Sequence, residues 1–340
     1  MKPFLERLAD PLPLLFDGGF GSELFARGVR LTNSALANEA YPEDVVAVHR
    51  SYIEAGADVI ETNTFVGSPL HLQMAGRDAA AADQLARLAT AHAKAAVEQS
   101  GREVYIAGSI GPSPGAIEAD GGKDFGIANE AVREAHKRVM GALAETGVDF
   151  FTIETMFSAK EAAMAVDVAR GLGLPVAVSL TYKYTKHRKT GQEIYRTDWG
   201  HSAADLLDFL ANGEFSDGDD LLGHVHLLGL NCGAEPQLVE HTGMPYAIFG
   251  IRQLHQAMRE KGVALKRAMA YPNAGMPRLD KDRQTTLYSQ TPEEMASHIP
   301  ALLAAGAYLI GGCCGTTPAH IRAFRTALDE QLAQGRAVFV

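Results

Sequence analysis

A helix end, a glycine and a short apolar strand recur in that order along the chain, and this recurrence constrains the fold most strongly. The clearest examples are Gly56, Gly147 and Gly306, each followed within three residues by an apolar run. A glycine takes up the left-handed conformation that ends a helix, and a short loop then leads into a buried strand. Repeated helix-to-strand connections predict parallel strands with helices packed outside them.

The pattern predicts eight strands, each followed by a helix. They are expected at Leu12–Asp17, Asp58–Thr62, Val104–Ser109, Phe150–Glu154, Val176–Thr181, His224–Asn231, Ala264–Ala270 and Ala307–Gly312. Eight such units fit a single (β/α)8 TIM barrel, with one domain over residues 1–340 and a core at about residues 12–330. The alternative is an open doubly wound sheet, but the turn at Asp17-Gly18-Gly19 only approximates the glycine-rich phosphate turn of such sheets.

Local signals place several helices and two long connections. We expect an alanine-rich helix at about Arg77–Gln99, because alanine has the highest helix propensity. Ser158 with Glu161 predicts a capping box at the start of the helix after the fourth strand. The segments Ser113–Gly126 and Tyr184–Gly200 read as irregular loops that fold over the C-terminal face of the barrel, where function collects.

Charge and composition exclude several classes of partner. The formal net charge of −10 argues against nucleic acid or an anionic membrane as the main partner, because both require a basic face. No apolar run approaches the roughly 20 residues needed to span a bilayer, and acidic residues interrupt the N-terminus where a signal peptide would be apolar. An odd number of cysteines, three, suits a reducing compartment. We therefore expect a soluble cytoplasmic protein.

All three cysteines are predicted at C-terminal ends of strands. Cys232 follows one apolar run, and Cys313 and Cys314 follow another, just before the helix-start pair Thr317-Pro318. Three thiols with a fourth position left open are the arrangement of a catalytic Zn²⁺ site. The flanking glycines let the backbone bend so that adjacent sulfurs reach one ion. Packed inert thiols or a vicinal disulfide are the alternatives, and the shared placement at strand ends favours the metal.

These cysteine motifs also carry a family resemblance. Gly229-Leu230-Asn231-Cys232 and Gly311-Gly312-Cys313-Cys314-Gly315, together with Asp17-Gly18-Gly19, resemble the homocysteine S-methyltransferase family over about Leu14 to Leu328. The resemblance implies an enzyme that makes methionine by moving a methyl group from a small onium donor, such as S-methylmethionine, another sulfonium or betaine, to the zinc-bound thiolate of homocysteine. It implies Cys232, Cys313 and Cys314 as zinc ligands and catalytic residues, with Asp17 and Glu154 holding the amino acid end of homocysteine.

Further substrate-binding candidates lie at the strand ends. The N–H groups of Gly18 and Gly19 are expected to approach the substrate carboxylate, and Asp17 to accept from its ammonium. The polar residues Thr62 and Asn231 join this group. Tyr182, with Trp199 and the tyrosines at 184, 271 and 288, is a candidate face for a cationic methyl donor through cation–π attraction.

The sequence leaves the identity of the methyl donor open. The run Tyr271–Pro277 is closest to the cobalamin-dependent relatives, so a separate methyl-corrinoid protein is an alternative donor. Another small thiol is an alternative acceptor. A redox or zinc-storage module that uses Cys313 and Cys314 is the alternative outside the methyltransferases, and it predicts reversible disulfide formation without any dependence on substrate.

Overall fold

The computed structural model describes residues 1–121, 126–233, 238–279 and 286–335. The strands in these ranges are β1 (Leu14–Leu15), β2 (Val59–Glu61), β3 (Tyr105–Ile110), β4 (Phe150–Met156), β5 (Val176–Leu180), β6 (Lys183–Lys186), β7 (Glu193–Arg196), β8 (Leu227–Cys232), β9 (Arg267–Pro272), β10 (Pro277–Leu279), β11 (Thr286–Tyr288) and β12 (Ala307–Ile310). The α-helices are α1 (Phe4–Leu8), α2 (Phe20–Ala26), α3 (Ala37–Ala40), α4 (Pro42–Ala55), α5 (Pro69–Met74), α6 (Ala82–Ser100), α7 (Glu118–Gly121), α8 (Asn129–Thr146), α9 (Ala159–Arg170), α10 (Ala203–Ala211), α11 (Gly243–Glu260), α12 (Pro292–Ala296), α13 (Ile299–Ala305) and α14 (Pro318–Ala333).

Eight parallel strands form the central sheet, in the order β1-β12-β9-β8-β5-β4-β3-β2. At the seam between β1 and β2, the Asp58 N–H donates to the Leu15 carbonyl at 2.7 Å, and the Leu15 N–H donates to the Asp58 carboxylate at 2.9 Å. These bonds bring the two edges together, so the sheet is a nearly closed barrel surrounded by helices. The predicted (β/α)8 barrel is confirmed, and each of the eight predicted strands overlaps an observed one. The open doubly wound sheet is wrong.

Alternation along the strands separates the barrel interior from the layer beneath the helices. On β4, Phe150 packs in the interior cluster, whereas Phe151 and Ile153 pack against the outer helices. The inward-facing positions of this strand are therefore Phe150, Thr152 and Glu154, because strand side chains alternate between faces. Helix α1 closes the N-terminal end, where the Phe4 ring stacks on Phe150 with 3.9 Å between centroids. The interior thus changes from apolar at this end to polar at the C-terminal end.

Glycine ends the helices where the sequence predicts. Gly56 and Gly306 follow α4 and α13 with φ of 109° and 101°, values in the left-handed region. The predicted capping box at Ser158 is only half formed. Ser158 accepts from the Glu161 N–H, but the Glu161 carboxylate turns instead to Ser113, whose N–H and hydroxyl both donate to it. Glu161 therefore anchors the loop after β3 rather than the start of its own helix.

The two long connections are more regular than the sequence indicates. Residues 184–200 contain the antiparallel hairpin of β6 and β7, so the prediction of an irregular loop is wrong there. β6 begins and ends with an exposed lysine and has Tyr184 and Thr185 between them, a composition compatible with an exposed two-stranded ribbon. Within 113–126, α7 forms one helical turn, and residues 122–125 lie outside the described residues. In the part of the chain that the structure describes, no helix is long and apolar enough to cross a membrane.

Candidate functional site

The three cysteine sulfurs meet at the C-terminal end of the barrel. Cys232 lies at the end of β8, and Cys313 and Cys314 follow β12. The Cys313 sulfur lies 3.4 Å from that of Cys232 and 4.0 Å from that of Cys314, and all three sulfurs fall within 4.8 Å of one another. All three cysteines are free thiols.

Backbone conformation brings these sulfurs together. Cys232 has a φ of 54°, which is uncommon for a non-glycine residue, and it turns the chain sharply at the end of β8. After Cys314 the chain turns again at Gly315, with a φ of 80°, and a Cβ there would overlap the ring of Tyr288. The Asn273 N–H donates to the Cys232 carbonyl at 3.0 Å and fixes the first turn.

The donor set fits a tetrahedral metal ion. Zinc–sulfur bonds of about 2.3 Å place the sulfurs of such a site about 3.8 Å apart, and the separations of 3.4 and 4.0 Å bracket this value. The pKa of Cys313 is raised, chiefly by its hydrogen bonds with Cys232 and Cys314 and further by burial. Hydrogen bonds from Cys232 and Cys313 lower the pKa of Cys314 well below its usual value. Three thiolates this close repel one another, so a cation is needed for all three to ionise together.

Three carboxyl groups lie beside the sulfurs. The cysteines share a cavity of about 170 Å³ with Glu61 and Glu154, and the buried Asp17 carboxylate lies behind this wall, where it accepts a hydrogen bond from the Glu61 N–H. Burial raises the pKa of all three carboxyl groups, and the negative charge of Glu154 raises those of Glu61 and Asp17 further. None of the lining residues that the structure describes is basic. One oxygen of Asp17 and one of Glu61 are buried without a hydrogen-bond partner among the described residues. The cavity is therefore built to receive a cationic group.

A polar network fixes Glu154. The Ser109 hydroxyl donates to it at 2.5 Å, and the Asn231 side-chain amide lies 3.4 Å from its other oxygen. Asn231 also accepts from the Thr155 N–H at 2.8 Å and donates to the Thr155 hydroxyl at 2.6 Å. Thr155 has a φ of 56°, a strained conformation for a β-branched residue. Asn231 thus offsets backbone strain beside the site.

Of the predicted residues at the N-terminal motif, Gly18 and Gly19 line the cavity and Asp17 is buried next to it. Asp17 Oδ2 accepts from the Glu61 N–H at 3.0 Å, so this carboxylate also joins β1 to β2. The Gly19 N–H donates to the Thr316 hydroxyl at 3.0 Å, and its role toward a substrate carboxylate stays a prediction. Gly18 and Gly19 both line the cavity, and a Cβ at Gly18 would lie 2.7 Å from the Tyr52 ring. Close packing is thus a second reason for glycine here.

Thr62 and Tyr182 occupy different surroundings. Thr62 lines the cysteine cavity, where its hydroxyl accepts from the Ser109 N–H at 3.1 Å. Tyr182 is buried, and its ring stacks near Tyr195 with 6.2 Å between centroids. It lines a separate small cavity that also touches Cys232.

The predicted aromatic face is not assembled as one surface. Tyr271 is buried, with its hydroxyl 3.0 Å from that of Ser179, and it lines the cysteine cavity. Tyr184 stacks on His241 with 4.0 Å between centroids. Trp199 lines a different, larger cavity. A set of aromatic residues chosen by type alone therefore scatters over several environments.

Sequence reasoning left Glu61 and Ser109 out of the candidate site. The signal that could have found them is the alternation of strand side chains. Glu61 stands two residues after Val59, and Ser109 two after Ala107, and both Val59 and Ala107 face the barrel interior. Continuing each strand by one inward position places both residues at the polar end of the barrel.

The sequence of this chain is similar to those of known proteins. The family model described as homocysteine S-methyltransferase matches residues 14–328. The homocysteine S-methyltransferase of Escherichia coli is 28% identical over 326 residues, covering 92% of this chain and 94% of the relative. Methionine synthase of Mycobacterium tuberculosis is 30% identical over 334 residues, covering 92% of this chain. This chain spans only 24% of the length of that methionine synthase.

A solved structure is similar over the whole barrel. The metallated form of the homocysteine methyltransferase MmuM from Escherichia coli superposes with a TM-score of 0.69 at 26% identity, covering 96% of this chain and 99% of that one. That protein is therefore similar in fold and length, and its structure was solved in a metal-bound form.

Proposed function

Because the chain belongs to the homocysteine S-methyltransferase family, we propose that it is a zinc-dependent enzyme that transfers a methyl group from a small onium donor to homocysteine, forming methionine. The observation that carries the proposal is one cavity that combines three cysteine sulfurs with buried carboxyl groups and no basic side chain in its lining. Homocysteine has a thiol at one end and an α-ammonium group at the other, and the two halves of the cavity suit these two ends.

The carboxyl groups of Asp17, Glu61 and Glu154 are the proposed partners of the ammonium group. In the absence of a ligand their raised pKa values favour the protonated forms, because burial and mutual repulsion oppose ionisation. An ammonium group donates up to three hydrogen bonds and favours the ionised carboxylates. Binding of homocysteine is therefore coupled to loss of protons from this cluster. Gly18, Gly19, Thr62 and Asn231 shape the cavity around the same end of the substrate.

Cys232, Cys313 and Cys314 are the proposed zinc ligands. When bound, zinc supplies a positive charge that lowers the pKa of a substrate thiol and fixes its position. Cys232 and Cys313 are half-buried and Cys314 is exposed, so a substrate thiol can reach the site, and the turns at Cys232 and Gly315 hold the sulfurs in place without rearrangement. We propose a reducing cytoplasm as the compartment, since free thiols of this kind persist there.

The transfer itself needs no acid from the protein. The substrate sulfur forms a bond to the methyl carbon as the bond between that carbon and the onium atom breaks. The bonding electron pair stays on the onium atom, so the donor leaves as a neutral sulfide or amine. The thiol proton is lost to solvent before this step. The demands on the protein are therefore orientation and exclusion of water.

Three alternatives to this proposal are distinguishable by observation. The similarity to a methionine synthase keeps a separate methyl-corrinoid protein as an alternative donor. Another small thiol as acceptor would not require the carboxyl cluster, so Asp17→Asn and Glu154→Gln would then leave its KM unchanged. A redox or zinc-storage role would show no dependence on any substrate.

The test is methionine formation by zinc-replete protein from homocysteine, with S-methylmethionine, a dimethylsulfonium compound and betaine offered in turn. We expect product with at least one onium donor. Cysteine replaces homocysteine in a parallel reaction as the control for acceptor selectivity. Failure with every onium donor, from protein that retains zinc, would contradict the proposed donor class. Equal rates with cysteine would contradict the proposed acceptor.

A further inference from the structure

A second and larger cavity adjoins the cysteine site. It has a volume of about 650 Å³, and Phe65, Thr155 and Cys232 line both this cavity and the first one. A volume of this size accommodates a small organic molecule. Because one of the three cysteines borders both spaces, a molecule in the second cavity lies next to the sulfurs that face the first.

Aromatic side chains form part of its wall. Phe157 and Trp199 line it and remain 38% and 41% exposed, although large aromatic residues normally bury more of their surface. Trp199 is the single tryptophan of the chain. Exposed ring faces that border a cavity attract a cationic ligand through the ring quadrupole.

Some acidic residues of the cavity wall already have hydrogen-bond or ion-pair partners within the protein. Glu161 accepts from Ser113 and contacts the His136 ring at 3.1 Å. Asp198 forms an ion pair with Lys183 at 2.7 Å. These two carboxylates therefore have partners within the protein and are not free to select a ligand.

Asp120 is different. Its side chain is only 1% exposed; the Ser158 hydroxyl approaches its carboxylate, but neither oxygen has a hydrogen-bond partner of normal geometry among the described residues. The His201 Nε2 lies 3.7 Å from its Oδ1, but burial lowers the pKa of that histidine and favours its neutral form. The Lys160 ammonium is held by the Ala119 carbonyl at 2.8 Å and is not part of the cavity wall. Asp120 is thus a buried acid in a cavity wall with no basic side chain.

The histidine that lines this cavity, His71, is uncharged. Burial lowers the pKa of His71 to about 4, so its ring is neutral at physiological pH. Among the described residues that line the cavity, none is a lysine or an arginine. A space with a buried acid, exposed aromatic rings and no cation disfavours an anionic molecule and favours a small positively charged one.

We propose that this second cavity binds the methyl donor, that the donor is a small alkyl sulfonium or quaternary ammonium ion, and that Asp120 is the residue that selects its positive charge. The inference rests on the proposed function and adds to it the place of the donor and the basis of its selection. Phe157 and Trp199 supply ring faces for the onium methyl groups. The methyl group crosses from this cavity to the substrate sulfur at the boundary formed by Thr155 and Cys232, and the donor remains behind as a neutral molecule that Asp120 no longer holds.

Trp199 makes the binding step directly observable. The protein is titrated without homocysteine, and the emission of Trp199 is followed with S-methylmethionine, betaine and 2-amino-5-methylhexanoic acid. The last compound has the shape of S-methylmethionine with a neutral carbon in place of the sulfonium. We expect a saturable change with at least one onium compound and none at the same concentrations of the neutral isostere. This assay needs no turnover, so it is independent of whether homocysteine is the acceptor.

The decisive variant is Asp120→Asn, which keeps the shape of the side chain and removes its charge. We expect its dissociation constant for the onium ligand to rise by about tenfold or more, because a buried charge partner is lost. Asp219→Asn is the matched control with the same change in net charge, since Asp219 is an exposed residue paired with Arg170. Phe157→Leu provides a second variant on the aromatic wall, with a smaller expected loss of a few fold.

The kinetic pattern separates this inference from the proposed function. Asp120→Asn is expected to raise the KM of the onium donor and leave that of homocysteine unchanged, and Asp17→Asn is expected to do the reverse. Equal binding of the onium ligand by Asp120→Asn and the parent protein would overturn the inference, as would equal binding of the neutral isostere. Active methyl transfer without any Trp199 response would overturn it while leaving the methyltransferase activity intact.

Discussion

Replacing Asp17 with asparagine is expected to stabilise the ligand-free protein while weakening its hold on homocysteine. Asp17 is 1% exposed, and its Oδ2 accepts from the Glu61 N–H at 3.0 Å. The other oxygen has no partner among the described residues. Burial raises the pKa of this carboxyl well above its usual value, and nearby Glu154 raises it further. Asparagine retains the acceptor toward Glu61 and removes the buried charge.

The magnitude follows from proton linkage. An unfolded aspartate titrates near pH 3.9, and each pH unit by which the folded carboxyl stays protonated above that value costs about 1.4 kcal/mol of stability. Because the folded-state pKa is raised, the stability that this group contributes is present at low pH and is lost as the pH rises. The asparagine variant has no such loss.

The assay is urea unfolding of the metal-loaded protein, without substrate, at several pH values between about 5 and 8. The stability of Asp17→Asn relative to the parent protein should increase with pH, by at most about 1.4 kcal/mol per unit. Asp219→Asn, an exposed carboxylate, serves as the control and should show no such trend. A stability difference that does not change with pH, or a variant that is less stable at every pH, would refute the reasoning. In the same variant the KM of homocysteine should rise by about tenfold or more.

Three further predictions follow from the site. The KM of homocysteine should rise as the pH falls, since the pKa values of the carboxyl cluster are raised and protonated carboxyls cannot pair with an ammonium group; a flat KM from about pH 6 to 8 would contradict this. Asn231→Ala leaves the strained Thr155 without its partner, so thermal unfolding should show a loss of about 2 kcal/mol, and an unchanged Tm would argue against that role. Gly315→Ala would force a Cβ into the Tyr288 ring and displace Cys314, so bound zinc measured by atomic absorption should fall, whereas Gly223→Ala, where a Cβ meets open space, should keep its metal.

Local sequence signals predict much of the fold. Gly56, Gly147 and Gly306 each end a helix with positive φ, so the helix-to-strand units could be read from the chain directly. The three cysteines could be placed because each follows an apolar run that ends in glycine or asparagine. Parallel strands then bring their C-terminal ends to one face whatever the loops do. Topology alone therefore accounts for the meeting of Cys232 with Cys313 and Cys314.

The parts that could not be predicted depend on contacts between distant loops. Whether the Gly19 N–H is free depends on Thr316, which lies 297 residues further along the chain. The importance of Asp120 depends on the cavity that forms around it, and nothing in its own neighbourhood of the sequence distinguishes this buried acid from acids that are exposed. Glu161 suggested a capping box because its spacing from Ser158 is right, yet a buried loop competes for the same carboxylate.

The most direct test of the central claim is the dependence of methionine formation on bound zinc. The protein is stripped of metal with a chelator and returned to increasing amounts of zinc, with homocysteine and an onium donor that supports turnover. We predict that activity is absent from the stripped protein and rises in proportion to zinc up to a single equivalent per chain, and that Cys313→Ala recovers neither metal nor activity. Full activity in the metal-free protein, or in Cys313→Ala, would contradict the account.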